Sequence, residues 1–137
     1  MNLPSLVVWF AGVFFILYGV AFAIEPYGMA QVTTALEPNT VSALVDIRAT
    51  YGGMTIAVGI VVIYLKQCVS IQHSLLVVWL VLLCMAVTRA IGFISDGETN
   101  ALMYLYFAAE VTGATLAIFA AKLERQAGSD ANSVAGG

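Results

Sequence analysis

From Leu6 to Ile24 the chain carries no charged residue, and nearly every side chain in the run is apolar. At about 1.5 Å per residue, such a run crosses the ~30 Å hydrocarbon layer of a membrane as a single helix. That constrains everything after it. In hydrocarbon every backbone N–H and C=O must find its partner inside the protein, which leaves only helices or a closed barrel. Three more long apolar stretches follow, and none has the strict alternation of a barrel strand. The expected architecture is all-α: an integral membrane four-helix bundle with helices at about 5–24, 40–65, 75–94 and 100–125. These form one domain, 1–125, and residues 126–137 are expected to be a disordered tail, because they are small and polar. Only 9% of the chain is charged and 61% is hydrophobic, whereas a soluble domain carries about 25% charged residues.

Local signals mark the ends of these helices. Glu25-Pro26 should stop the first, because proline disfavours the helical conformation in the residue before it. Gly28 to Leu36 is expected to form a short helix on the membrane surface, and Asn39 or Thr40 to cap the second span. Lys66 to Ser74 reads as a turn. Asp96-Gly97 makes the next turn, and Thr99 or Asn100 caps the last helix. Ala21-Phe22-Ala23 has the form of a signal-peptide cleavage site, but Met1 to Ser5 has no positive charge. The first segment is therefore expected to be retained as a span.

Orientation follows from the basic residues outside the spans. Lys66 follows the second helix; Lys122 and Arg125 follow the fourth. In a four-span chain these positions share a side, so the positive-inside rule puts them and both termini in the cytoplasm. Glu25, Glu37, Asp46, Asp96 and Glu98 go to the other side, with the loops around Gln31 and Glu98.

Three charges then stand out: Arg48, Arg89 and Glu110 all fall in the outer half of the membrane. Arg89 lies about 8 Å below the outer end of its helix and Glu110 about 12 Å deep. A charge at the centre of a membrane helix costs about 2.5–3.5 kcal/mol, so such groups turn inward and pair. Helical spacing agrees. Arg48, Tyr51, Gly52, Thr55 and Gly59 share one face, as do Leu82, Met85, Ala86, Arg89, Gly92 and Phe93. Tyr106, Glu110, Gly113, Ala114, Ala117 and Ala121 share another. The candidate polar cluster, with a ligand-binding or a structural role, is Asp46, Arg48, Tyr51, Arg89, Asp96 and Glu110. Gly52, Gly53, Gly59, Gly92 and Gly113 are candidate helix-packing positions, since small residues let helices approach closely in lipid. Glu110 is expected to bridge to Arg89 or to Arg48, with Tyr18, Tyr51 or Tyr106 hydrogen-bonded to the bridge. Asp96 reaches Arg89 only if the arginine snorkels upward.

Motifs for chemistry are lacking. The sequence has no phosphate loop, no nucleotide-binding glycine pattern and no His-Glu-x-x-His. Catalytic residues, cofactors and a metal site are not expected. His73 is a lone histidine, and Cys68 and Cys84 are expected to be unpaired. A net charge of −3 provides no basic surface for nucleic acid.

The acid-x-Arg-x-x-Tyr-Gly-Gly element at Asp46 to Gly53, then Arg89 with Gly92 and Asp96-Gly97, and finally Glu110 resemble a bacterial family of small four-helix membrane proteins known only as a domain of unknown function. The resemblance spans about residues 5–123. It implies the four-helix fold and a multi-pass place in the inner membrane, but no activity. The family's first acid is usually glutamate; Asp46 here has a shorter reach. Other four-helix membrane families, such as the DoxX-like proteins, share the layout without these motifs.

Small size, little soluble surface and the lack of catalytic motifs make a non-enzymatic accessory or scaffold subunit of a membrane assembly the expected role. The alternative is a binder or carrier of a lipid-like or anionic small molecule, held by the Arg/Glu cluster, since arginine's planar fork suits a carboxylate or phosphate. The expected partners are membrane lipids, with either another membrane protein or further copies of the chain.

Overall fold

Proline positions the first two helices. Pro4 sits in the opening turn of α1 (Leu3–Ile24), where a missing N–H costs nothing. Pro26 then opens α2 (Pro26–Thr34), and Glu25 between them accepts from the Gly28 N–H at 3.2 Å. The computed structural model describes residues 2–96 and 99–135. After α2 come α3 (Val41–Cys68), α4 (Ile71–Ser95) and α5 (Ala101–Ala135). Thr40 caps α3 through Oγ1, which accepts from the Ala43 N–H at 3.1 Å. Asn100 Oδ1 accepts from the Met103 N–H at 3.0 Å at the head of α5.

Among the described residues, four of the five helices (α1, α3, α4 and α5) are long and apolar enough to cross a membrane. Their outward side chains match that setting: Phe10 is 72% exposed and Leu105 62%, an arrangement suited to lipid and not to water. The chain is a small multi-pass membrane protein.

Some boundaries differ from those expected. The Lys66–Ser74 turn shrinks to Val69-Ser70, because Ser70 is itself a helix cap and its Oγ accepts from the His73 N–H. The last helix does not stop at Arg125 but runs on to Ala135. Alanine and glutamine in this stretch favour helix, and one internal glycine, Gly128, costs only about 1 kcal/mol. Gly97 and Glu98, in the turn expected after Asp96, lie outside the described residues, as do Gly136 and Gly137.

In the bundle, α1 and α4 touch each other and both remaining spans, so they form its short diagonal, with α3 and α5 at the opposite corners. The closest contact joins α1 to α3. Gly12 and Gly19 lie seven residues apart on α1, and Gly52 and Gly59 seven apart on α3, so the antiparallel helices meet glycine to glycine. A Cβ on Gly19 would stand 2.7 Å from the Gly52 carbonyl oxygen, and one on Gly59 2.6 Å from that of Gly12. Only glycine admits backbones this close. Gly113 plays a similar part on α5, where a Cβ would meet Leu82 Cδ1 at 2.7 Å.

Two apolar clusters fill the bundle. Val8, Val62, Leu75, Val78, Ala117 and Ala120 pack together at the end that carries Lys66. There the buried Ser74 Oγ donates to the Val62 carbonyl at 2.9 Å and ties α4 to α3. At the other end Phe22, Ala30 and Ile47 pack α2 down onto α1 and α3.

Candidate functional site: an arginine–glutamate clamp

Arg89 lies near the end of α4 and Glu110 in the third turn of α5. The short connection between these helices sets them side by side, and the two side chains meet across the gap. Arg89 Nε donates to Glu110 Oε2 at 3.1 Å, and Nη2 donates to Oε1 at 2.7 Å. This is a bidentate fork, the strong geometry for a guanidinium and a carboxylate. Glu110 is only 5% exposed, so its charge is withdrawn from the surroundings and both of its oxygens are occupied.

The pair's surroundings come from the same face of α5. Met103, Tyr106 and Glu110 recur at helical spacing. Met103 Sδ accepts from Arg89 Nη1 at 3.0 Å, and the guanidinium lies 5.5 Å from the centre of the Tyr106 ring. The negative face of that ring attracts the cation. Toward the end of α4, Phe93 stacks on Tyr104 at 4.7 Å and meets Phe107 edge-on at 5.6 Å. Across the bundle, Tyr18 meets Phe22 at a tilt with ring centres 5.1 Å apart, and Phe22 stacks on Tyr51 at 5.2 Å.

Of the two bridges open from sequence, the structure forms Arg89–Glu110. Among the described residues, no hydrogen bond joins a tyrosine hydroxyl to the pair; Tyr106 contributes its ring face instead. Arg48 and Asp46 are exposed and remain outside the clamp. Among the described residues, the Asp46 carboxylate takes only a long hydrogen bond from Thr50 Oγ1, at 3.5 Å.

The reason is a π-helical turn at Arg48–Gly53, where the Met54 N–H reaches the Ala49 carbonyl, five residues back. This wider bonding unwinds α3 locally. Residues 48 and 51, which a regular α-helix would align with Gly52 and Gly59, are rotated off that line. Gly52 and Gly59 are buried, and Arg48 and Tyr51 are exposed. The Thr55 hydroxyl donates to the Tyr51 carbonyl within this segment.

The remaining positions divide likewise. Among the described residues, a Cβ on Gly53 would meet nothing within 4 Å, and one on Gly92 only the Asp96 carboxylate at 3.6 Å, so neither stands at a helix contact there. Asp96 is exposed beyond the clamp. Two contributors were missed from sequence. Met103 was detectable, since it precedes Glu110 by two turns on the same face. Gly12 was detectable from its seven-residue spacing to Gly19. Cys68 and Cys84 are both free thiols.

Chemically, the clamp cross-links α4 to α5 at a single register. It engages both carboxylate oxygens and leaves the guanidinium, whose side chain is 22% exposed, with donors at its outer edge. No curated protein and no solved structure matches the chain. Residues 5–121 match the model of the family described as Domain of unknown function (DUF4345), and the chain belongs to that family.

Proposed function

We propose that the protein is a non-enzymatic accessory or scaffold subunit of an assembly in the inner membrane. The observation that carries this reading is the closure of the Arg89–Glu110 clamp. Glu110, the one deeply buried acid among the described residues, has both oxygens engaged by its own chain, which favours a register-setting role over proton exchange. Among the described residues no buried side-chain nitrogen or oxygen lacks a hydrogen-bond partner. The interior thus resembles a closed structural core, and the working surface is the apolar exterior.

Purification in mild detergent followed by native mass determination tests the proposal. The expected particle contains a second membrane protein or further copies of this chain. A strictly monomeric particle without a companion would overturn it. One observation favours a second reading, an anionic or lipid-like ligand: the exposed edge of Arg89 retains N–H donors. On that reading the same spectrum shows a small acidic adduct on the monomer.

Orientation is part of the proposal: both termini in the cytoplasm, and the loops around Gln31 and Glu98 outside. In a background lacking Cys68 and Cys84, Thr99→Cys should react with a membrane-impermeant maleimide in intact spheroplasts, and Ser129→Cys should react only after lysis. The opposite pattern would reverse the orientation.

A further inference from the structure

At the end of the bundle away from the clamp, α4 and α5 part to leave an open cleft of about 330 Å³. Its floor is apolar, formed by Leu75, Leu76, Trp79, Ala117, Ile118 and Ala121. From α5, Ala117 and Ala121 line it with only methyl groups. Its rim is basic and polar: Lys122 and Arg125 from α5, with Gln72 and His73 from α4. His73 Nδ1 lies 2.9 Å from Ser70 Oγ, which leaves Nε2 as the ring's other hydrogen-bonding atom. Glu124 belongs to the same stretch of α5 but does not line the cleft.

A second, smaller hollow continues from the first. It shares Trp79 and Ile118 and runs along Leu83, Ala86, Val111 and Ala114. Together they form one furrow from Arg125 to Val111 on α5. At 1.5 Å per residue its length is about 21 Å. Half of a bilayer, from midplane to the outside of the headgroups, is about 20–22 Å. The furrow therefore has the length of one leaflet, is lined along its depth by apolar side chains and by Thr115, whose hydroxyl donates to the Val111 carbonyl at 2.8 Å, and turns basic only at the level where a headgroup would lie.

The geometry points to a binding site for an anionic phospholipid, with one acyl chain lying in the α4–α5 furrow and the phosphate at Lys122 and Arg125. Charge complementarity selects the lipid. A zwitterionic headgroup brings its own cation to a basic rim, whereas a phosphatidylglycerol-type headgroup brings only the anion. Basic pockets between membrane helices recognise anionic headgroups in this way. The site is at the opposite end from the clamp and is independent of the scaffold reading.

The test is native mass spectrometry with thermal melting of the purified protein in detergent. It is titrated with phosphatidylglycerol, with phosphatidylcholine of matched palmitoyl and oleoyl chains, or with inorganic phosphate alone. Phosphatidylglycerol is expected to stay bound and to raise the melting temperature, while phosphatidylcholine and inorganic phosphate do neither. The double variant Lys122→Gln with Arg125→Gln should bind phosphatidylglycerol about thirtyfold more weakly, at roughly one interfacial charge's worth of affinity per residue. Both side chains are exposed, so the fold should survive, and an unchanged melting temperature without lipid checks that it does. Lys66→Gln serves as control: Lys66 is at the same end, 5.0 Å from the Trp9 ring centre and outside the cleft, and its loss should leave binding intact. Equal binding of the two lipids, stabilisation by inorganic phosphate alone, or a double variant that binds like the parent would each overturn the assignment.

Discussion

Glu110→Ala is expected to lower the stability of the protein in detergent by about 3–5 kcal/mol, the usual cost of leaving one partner of a buried ion pair uncompensated. The guanidinium stays on α4 with Met103 and the Tyr106 ring, neither of which is an anion. Its partial exposure lets it snorkel toward the headgroups, which places the loss at the lower end of the range. Glu110→Gln keeps the shape and can still accept from Arg89 through one oxygen, so it should lose less than alanine. Combining Glu110→Ala with Arg89→Ala should cost less than the sum of the two, because the double variant buries no orphan charge. Arg48→Ala should instead add independently, since Arg48 stands outside the clamp. Thermal melts of the single and double variants measure all of this. If Glu110→Ala melts with the parent and shows no coupling to Arg89→Ala, the clamp does not hold the helices together. The glutamine variant also separates roles. A structural carboxylate tolerates it, whereas one that must exchange protons would keep its fold and lose the cellular function.

A comparable loss is expected where α1 crosses α3. Gly19→Ala puts a methyl group 2.7 Å from the Gly52 carbonyl oxygen and 2.8 Å from the Ile56 nitrogen, both backbone atoms. Gly59→Ala does the same against the Gly12 carbonyl at 2.6 Å. Backbone cannot swing aside like a side-chain tip, so the helices must separate. Overpacking of this kind costs about 1–3 kcal/mol. Once one substitution has pushed the helices apart, the second finds more room, so the pair should cost less than the sum. Gly53→Ala is the internal control: its Cβ meets open space, and the higher helix propensity of alanine should leave stability unchanged or raise it by up to about 1 kcal/mol. Equal melting of the Gly19→Ala, Gly59→Ala and Gly53→Ala proteins would mean that the glycine contact is not close-packed.

Much of the fold is readable without coordinates, because the bilayer is a severe solvent. Uncharged runs such as Leu6 to Ile24 have one stable option there, and the four spans follow from where such runs begin and end. The same severity makes Arg89 and Glu110 conspicuous: a charge among Leu and Ala must pair, so sequence alone marks each as needing a buried partner. Helix ends are less legible. Ser70 falls in the turn expected from sequence although it caps α4, and the polar stretch after Arg125 carries helix because nothing in it breaks one strongly.

Which partner Glu110 takes depends on tertiary structure. Both arginines belong to the outer half in the linear reading, and an ideal α-helix would carry Arg48 on the same line as Gly52 and Gly59. One π-helical turn between them breaks that alignment, and nothing in Arg-Ala-Thr-Tyr-Gly-Gly announces the turn. Facing positions across helices are hidden for the same reason. Seven-residue spacing on α1 and on α3 can be read from the chain, but that Gly12 meets Gly59 and Gly19 meets Gly52 depends on the antiparallel register that packing selects. Hydropathy and charge thus determine which segments enter the membrane and which residues cannot stay alone there, because those are properties of single helices in a solvent. Partner choice at the clamp, the outward place of Arg48 and the furrow between α4 and α5 were decided only by tertiary structure, because each depends on the rotation and separation of helices that meet only when the chain folds.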